Sequence, residues 1–212
     1  MRKIKEKLIR FFKIIPGGIF GILSGLIGII CDFIAIALYP GYSILHDMVS
    51  TLGVGPGADF FNYGLIFSGI FAVIFYIYLS LTFDKEDSSN TFIKTTFIIA
   101  IISSLLMSSI GIFPAIQDKK LIILLHYLAA LSTWLTGITY CLMVASLFMK
   151  SSKYTNYLSI IAFIPAFMMT TLLIFIITPF TQDLVPFTEW IMVFSVIGFI
   201  IFISSYTLYK KI

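Results

Sequence analysis

The sequence predicts an all-α membrane protein, a polytopic bundle of six transmembrane helices with both termini on the cytoplasmic side. Its composition is 59% hydrophobic and 11% charged, and a soluble domain could not shield that much apolar surface from water. Six apolar runs each reach about 20 residues, the length needed to cross roughly 30 Å of hydrocarbon. Backbone amides at that depth need partners within their own segment, so each run is predicted to be a helix.

A short interfacial helix is expected before the six spans. Residues 1–15 place apolar side chains on one helical face and basic side chains on the other, a pattern typical of helices that lie on a membrane surface. Residues 16–212 are predicted to form a single membrane domain. Its spans are expected at about residues 19–38, 61–83, 95–113, 121–148, 157–178 and 190–209.

Lysine and arginine residues predict the orientation, because short loops that are rich in them stay in the cytoplasm. With the N-terminus inside, only Lys119 and Lys120 of the 14 basic residues lie outside, and the others, Lys85 among them, lie inside. The net charge of +4 therefore reflects topology and favours membrane lipids over nucleic acid as partners. We expect a multi-pass protein of the cell membrane.

The first apolar run has a second interpretation, as a signal peptide cleaved after Ala35-Ile36-Ala37. It follows a basic segment, as the apolar part of a signal peptide does. The run is longer than that part usually is, and Asp32 interrupts it just before the supposed cleavage site. We therefore expect the run to remain as the first span.

The first exoplasmic loop, residues 39–62, holds much of the polar chemistry of the chain. Ser43 as N-cap and Gly53 as the residue after the last turn predict a short amphipathic helix of about nine residues. Such a helix is too short to be stable alone, so it should lie against the bundle or the membrane interface. Its polar face would carry His46, Asp47, Ser50 and Thr51.

Two ionisable residues are predicted to lie inside spans beneath this loop. Asp32 continues a stripe of small residues formed by Gly17, Gly21, Gly25 and Gly28, and such stripes face other helices. His126 continues a similar stripe in the fourth span. Each residue lies about six positions from the outer end of its span, roughly 9 Å deep. The sequence thus predicts an outward-facing polar pocket, or a buried Asp32–His126 pair that only ties the bundle together.

Several motifs resemble the domain-of-unknown-function family 998, whose members are prokaryotic six-span membrane proteins. The motifs are Pro40-Gly41-Tyr42-Ser43, Val49-Ser50-Thr51-Leu52-Gly53, Asn62-x-Gly64-Leu65, Gly111-Ile112-Phe113-Pro114 and His126-Tyr127-x-Ala129-Ala130. Many members carry an acid where this chain has Thr51, and Asp47, one turn earlier, is the substitute we consider. A looser resemblance to the Frag1/DRAM/Sfk1 membrane proteins implies lipid remodelling or distribution.

The predicted function is lipid-related: binding, organisation or remodelling at the outer leaflet. The alternative is an outer-leaflet lipid hydrolase or transferase, with His46 or His126 as general base, Asp32 or Asp47 orienting it, and Ser50 as a nucleophile. A second alternative is a small-molecule transporter. Ion transport is disfavoured, because the inner halves of the spans lack ionisable relays.

The sequence identifies no cofactor. A metal variant of the enzyme would use His46, His126 and Asp32 or Asp47, since a catalytic zinc ion takes three protein ligands. The chain has only two histidines and no HExxH motif, so we expect no metal. The oligomeric state is not predicted.

Overall fold

Every regular element in the described chain is a helix. The structure is a computed structural model that describes residues 2–83 and 88–212, with side chains described from residue 6 onward. Lys85 and the side chains of residues 1–5, which the charge count included, lie outside these parts. The α-helices are α1 (Arg2–Ile14), α2 (Gly18–Ala37), α3 (Ala58–Thr82), α4 (Asn90–Ile112), α5 (Lys120–Lys150), α6 (Tyr157–Ile177) and α7 (Val185–Lys210).

Six of these helices, α2 to α7, are long and apolar enough to cross a membrane. This confirms the predicted class, an all-α protein with six membrane-length helices. Most predicted runs match their helices to within about three residues, but α4 and α7 each begin five residues before the run predicted for them. The early start of α7 determines where one acidic residue lies.

The six helices form a closed ring. Each packs against the next in chain order, and α7 returns to pack against α2. The ring encloses a central space that side chains from opposite helices, such as α2 and α5, both reach. Close approach of α2 to its neighbours depends on its glycines, since a Cβ atom at Gly18 would lie 2.7 Å from the Ser204 carbonyl oxygen of α7. The predicted small-residue stripe is therefore a packing face.

The two ends of the ring differ in what they carry. At one end, called here the terminal end, Phe12 of α1 packs on Tyr78 of α3, and the Tyr78 hydroxyl donates to the carbonyl of Ile212. Both termini thus meet at this end, as an even number of spans requires. The opposite end, called the loop end, carries residues 38–57. That the terminal end faces the cytoplasm remains a prediction from the charges.

Aromatic residues fill the terminal-end half of the ring. Phe83, Phe148 and Tyr154 stack with ring centroids 4.8 to 5.9 Å apart, and Tyr206 stacks on Tyr154 at 5.9 Å. Phe148 is completely buried. Rings at these separations pack face and edge against one another and leave little free space.

The first loop is not the nine-residue amphipathic helix that the caps predicted. Ser43 begins only one turn, in which the Ser43 N–H donates to the Asp47 carboxylate at 2.7 Å. Met48 is then extended, with φ −63° and ψ 144°, and a 3-10 helix follows at Val49–Val54. The backbone thus leaves the helical path at Met48, and this separates the two turns.

Candidate functional site

A cavity of about 150 Å³ lies inside the ring, and all six membrane-length helices line it. On α5 its lining runs from His126 to Tyr140, a rise of about 21 Å at 1.5 Å per residue. Tyr76 and Tyr140 form the floor towards the terminal end, where the Tyr76 hydroxyl donates to Tyr140 at 3.0 Å. Val49 of the first loop is among the lining residues at the loop end. The cavity is therefore elongated along the helices.

The middle of the cavity wall is apolar in effect, although it contains serine and threonine residues. Ser24 and Ser68 each donate to the backbone carbonyl of the other at 2.8 Å, which joins α2 to α3. Ser103 of α4 donates to the Thr133 carbonyl of α5 at 3.3 Å. These hydroxyls are occupied by the protein itself, so the polar groups available to a ligand are concentrated elsewhere.

Asp32 lines the cavity near the loop end, on the face of α2 that its position after the glycine stripe predicted. The residue is only 5% exposed, and within residues 6–83 and 88–212 no group donates a hydrogen bond to its carboxylate. A buried carboxylate is costly unless it is compensated. Asp32 therefore presents an acceptor that the described part of the protein does not use.

His126 lines the same cavity from α5, across the ring from α2. Its Nδ1 lies 2.8 Å from the Phe113 carbonyl oxygen. A carbonyl only accepts, so Nδ1 carries the proton; in the neutral ring Nε2 is then an acceptor, to which no described residue donates. Within the described chain, no ion pair joins Asp32 to His126. The two residues face one space, but the buried pair considered from the sequence is not formed.

Glu189 is the site residue that sequence reasoning missed, because we took the last span to begin at Trp190. Since α7 begins at Val185, Glu189 lies inside the helix, lines the cavity and is 7% exposed. It shares a helical face with the lining residues Met192, Val193, Val196 and Ile200. That spacing of three, four, seven and eleven residues was visible in the sequence and could have placed the acid inside.

The first loop is fastened over the cavity by side chains from α7 and α3. The Val49 N–H donates to the Glu189 carboxylate at 2.7 Å, and the Asn62 amide donates to the Gly53 carbonyl at 3.0 Å. Ser50, between these two fastenings, lines the cavity. The loop therefore covers the loop end of the cavity while its backbone is held from two helices.

Tyr42 provides a third fastening and reports the electrostatics of the site. Its hydroxyl accepts from the Trp190 indole N–H at 2.9 Å and donates to the Met48 carbonyl at 3.1 Å. Burial raises the pKa of this hydroxyl, and the negative charges of Glu189, Asp47 and Asp32 raise it further, against the lowering effect of Trp190. Three acidic residues are thus within electrostatic reach of one half-buried hydroxyl.

The structure brings together some of the sequence-predicted site residues and separates others. Asp32, Ser50 and His126 line the cavity, whereas His46 and Asp47 do not. His46 is exposed, and Asp47 is engaged with the Ser43 N–H. Among the described residues no three His, Cys, Asp or Glu side chains are grouped so as to hold a metal. The ligand set of His46 with His126 is therefore not assembled.

The fold and the site define a class: a helical protein of six membrane-length spans with a buried, mainly apolar cavity whose ionisable groups lie under its first loop. The family model described as "Protein of unknown function (DUF998)" matches residues 22–206, and the chain therefore belongs to this family. Searches of the curated proteins and of the solved structures found no match. Residues that carried the resemblance in sequence, including Tyr42, Asn62, Phe113 and His126, make the contacts that build the site.

Proposed function

We propose that the protein binds an amphipathic, lipid-like molecule in the central cavity. The apolar part of the ligand would lie along the wall, and its polar group would lie at the loop end beside Asp32, Glu189 and His126. The observation that carries this proposal is an elongated cavity whose wall hydroxyls bond to the protein itself and whose ionisable groups lie at one end, where Asp32 has no donor among the described residues. Ligand sites are commonly apolar with a few placed polar groups, and ionisable residues within spans are functional candidates.

The two tryptophans of the chain offer a direct test. Trp134 lines the cavity, and Trp190 is 1% exposed beside Glu189. A dibrominated C18 alcohol, added to the purified protein in a non-ionic detergent, should quench their fluorescence saturably if it enters the cavity. The Trp134→Phe variant leaves only Trp190, which lipid or detergent outside the ring does not contact.

A cavity-filling variant provides the comparison. Ala130 lies one turn below His126 and lines the cavity, so Ala130→Leu should occupy ligand space and weaken the quenching. Ala37→Leu makes the same change at an exposed position at the end of α2, and it should retain wild-type quenching. Equal, non-saturating quenching in the wild type, Ala130→Leu and Ala37→Leu would refute binding in the cavity.

A second candidate is hydrolysis or group transfer on a lipid-like ester in the same cavity. It is favoured by one observation, that Phe113 fixes the Nδ1 proton of His126 and leaves Nε2 free as a base. Ser50 would be the nucleophile. A fluorophosphonate probe should then label wild-type protein, but not Ser50→Ala, and should label His126→Gln more slowly. Absence of labelling at Ser50 in the wild type would exclude this reaction.

A further inference from the structure

The loop end of the cavity is surrounded by hydrogen-bond acceptors that lack a cationic partner. The lining residues in the described chain include two carboxylates, Asp32 and Glu189, and one histidine, but no lysine or arginine. Lys119 and Lys120, which are the basic residues predicted for this side, are exposed. An anionic head group placed here would meet two carboxyl groups and no compensating cation in an apolar setting, where charges of like sign repel strongly.

The packing of α2 against α7 indicates how far apart the two acids lie along the helix axes. A Cβ atom at Gly25 would contact Ile200 and Ile201, and one at Gly28 would lie 3.8 Å from Ile197. Towards the loop end, residue numbers therefore rise along α2 and fall by about the same amount along α7. Continuing this antiparallel register puts Asp32 opposite Val193. Glu189 is then one helical turn, about 5 to 6 Å, further towards the loop end.

The carboxylates differ in how far the protein already satisfies them. Glu189 accepts one hydrogen bond through Oε2, from the Val49 N–H. Asp32, 5% exposed and lining the cavity, accepts none within the described residues. Both acids line the same cavity. The site is therefore a pocket with two carboxyl groups, and the deeper one, Asp32, has no hydrogen-bond donor among the described residues.

We propose that the polar group bound at this end is a cation, an ammonium on a single apolar chain. The inference rests on the proposed function and specifies the class of its ligand. A primary ammonium offers three N–H donors and no acceptor, which complements Asp32, Glu189 and the free Nε2 of His126. It also supplies the counter-charge that a buried carboxylate requires.

Competition against the dibrominated C18 alcohol tests the head group at constant chain length. Hexadecylamine, hexadecanol and hexadecanoate are titrated into wild-type protein and into Asp32→Asn, Glu189→Gln and Asp183→Asn. Partition into detergent is the same for every variant, so differences between variants report the site. Asp183→Asn removes a carboxylate from an exposed position in residues 179–184, and it serves as the matched control.

In the wild type and in Asp183→Asn, hexadecylamine should displace the probe at the lowest concentration and hexadecanoate at the highest. Loss of one buried charge partner costs at least about tenfold in affinity, so Asp32→Asn and Glu189→Gln should each weaken the amine that much and hexadecanol little. If one of these two variants fails to fold, the other still tests whether the amine depends on a carboxylate.

Two outcomes overturn the inference, and they are distinguishable. The proposed cation is wrong if hexadecanol and hexadecanoate displace the probe as well as the amine does. It is also wrong if the amine keeps its advantage in the folded variants. In either case the proposal of binding in the cavity stands. If none of the three compounds binds saturably, both the cation and the proposed function are wrong.

Discussion

The loop-end and terminal-end halves of the ring are made from the same six helices, yet one half is filled and the other is hollow. In the terminal-end half, aromatic rings such as Phe83, Phe148 and Tyr154 occupy the centre of the ring. In the loop-end half, Asp32, Glu189 and His126 face a cavity. The comparison indicates that packing stabilises one end of the bundle, and that at the other end a covering loop encloses ionisable groups.

The largest expected effect compares one substitution in the two halves. Phe148→Ala should lower the free energy of unfolding by on the order of 3 kcal/mol, because Phe148 is 0% exposed and stacks on Phe83 and Tyr154. Phe61→Ala removes an equally large ring, but Phe61 borders the cavity, so part of its surface faces open space. We expect roughly half the loss there.

Thermal or denaturant unfolding of both variants in the same detergent measures the difference. The loss at Phe148 comes mainly from van der Waals contacts, since helices that separate within lipid or detergent remain in an apolar medium. Equal losses at Phe61 and Phe148 would contradict the distinction between a hollow half and a filled half.

The second effect concerns the fastening of the loop. Glu189→Ala should leave the buried Val49 N–H without its acceptor, at a cost of about 1 to 3 kcal/mol. Hydrogen exchange should become faster across Val49–Val54 and stay unchanged at the terminal end. Glu189→Gln keeps a carbonyl oxygen in the same position, so it should retain most of the protection. Equal exchange in wild type and Glu189→Ala would show that the loop is held by packing alone.

The fold was largely predictable from the sequence, because membrane-length apolar runs permit few structures. The placement of Asp32 and His126 towards one space also followed from helical spacing and depth. The role of Glu189 was missed because hydropathy alone set the start of the last span. A charged residue near the end of an apolar run makes the run look shorter, so the predicted span began only after Glu189. The helix in fact begins at Val185, and the helical spacing of the apolar residues after Glu189 was the better guide to its position.

The loop was less predictable for a different physical reason. Ser43 and Gly53 are good capping residues, but caps describe the ends of a helix and do not ensure its interior. Here the Asp47 carboxylate accepts the Ser43 N–H, and the backbone becomes extended at Met48. The later partners, Glu189 and Asn62, come from distant parts of the chain. Local sequence rules could not include them, and so His46 and Asp47 were placed at the site while Glu189 was not.

A smaller effect should separate the aromatic contact of the loop from its hydrogen bond. Trp190 donates to the Tyr42 hydroxyl at 2.9 Å, and the two rings also meet edge to face at 6.2 Å. Tyr42→Phe and Trp190→Phe, alone and combined, form a double-mutant cycle with an expected coupling energy of about 1 kcal/mol. Additive changes in unfolding free energy would mean that the bond adds nothing to the hold on the loop.

The smallest effect returns to the glycine stripe that crosses both halves. At Gly28, which lines the cavity, the nearest atom to an added Cβ is the Ser68 hydroxyl at 3.5 Å. This is an ordinary contact, and alanine also favours the helix. Gly28→Ala should therefore change the unfolding free energy by no more than a gain of about 1 kcal/mol.

Gly18, in the filled half, is the matched control for Gly28. Its added Cβ would lie 2.7 Å from the Ser204 backbone carbonyl, which cannot move without shifting α7. Gly18→Ala should therefore lower the unfolding free energy by about 1 to 3 kcal/mol, as measured in the same detergent. Because both glycines lie on one stripe of one helix, a similar cost at Gly28 would mean that α2 is clamped along its whole length. The hollow half would then be as tightly packed against α7 as the filled half.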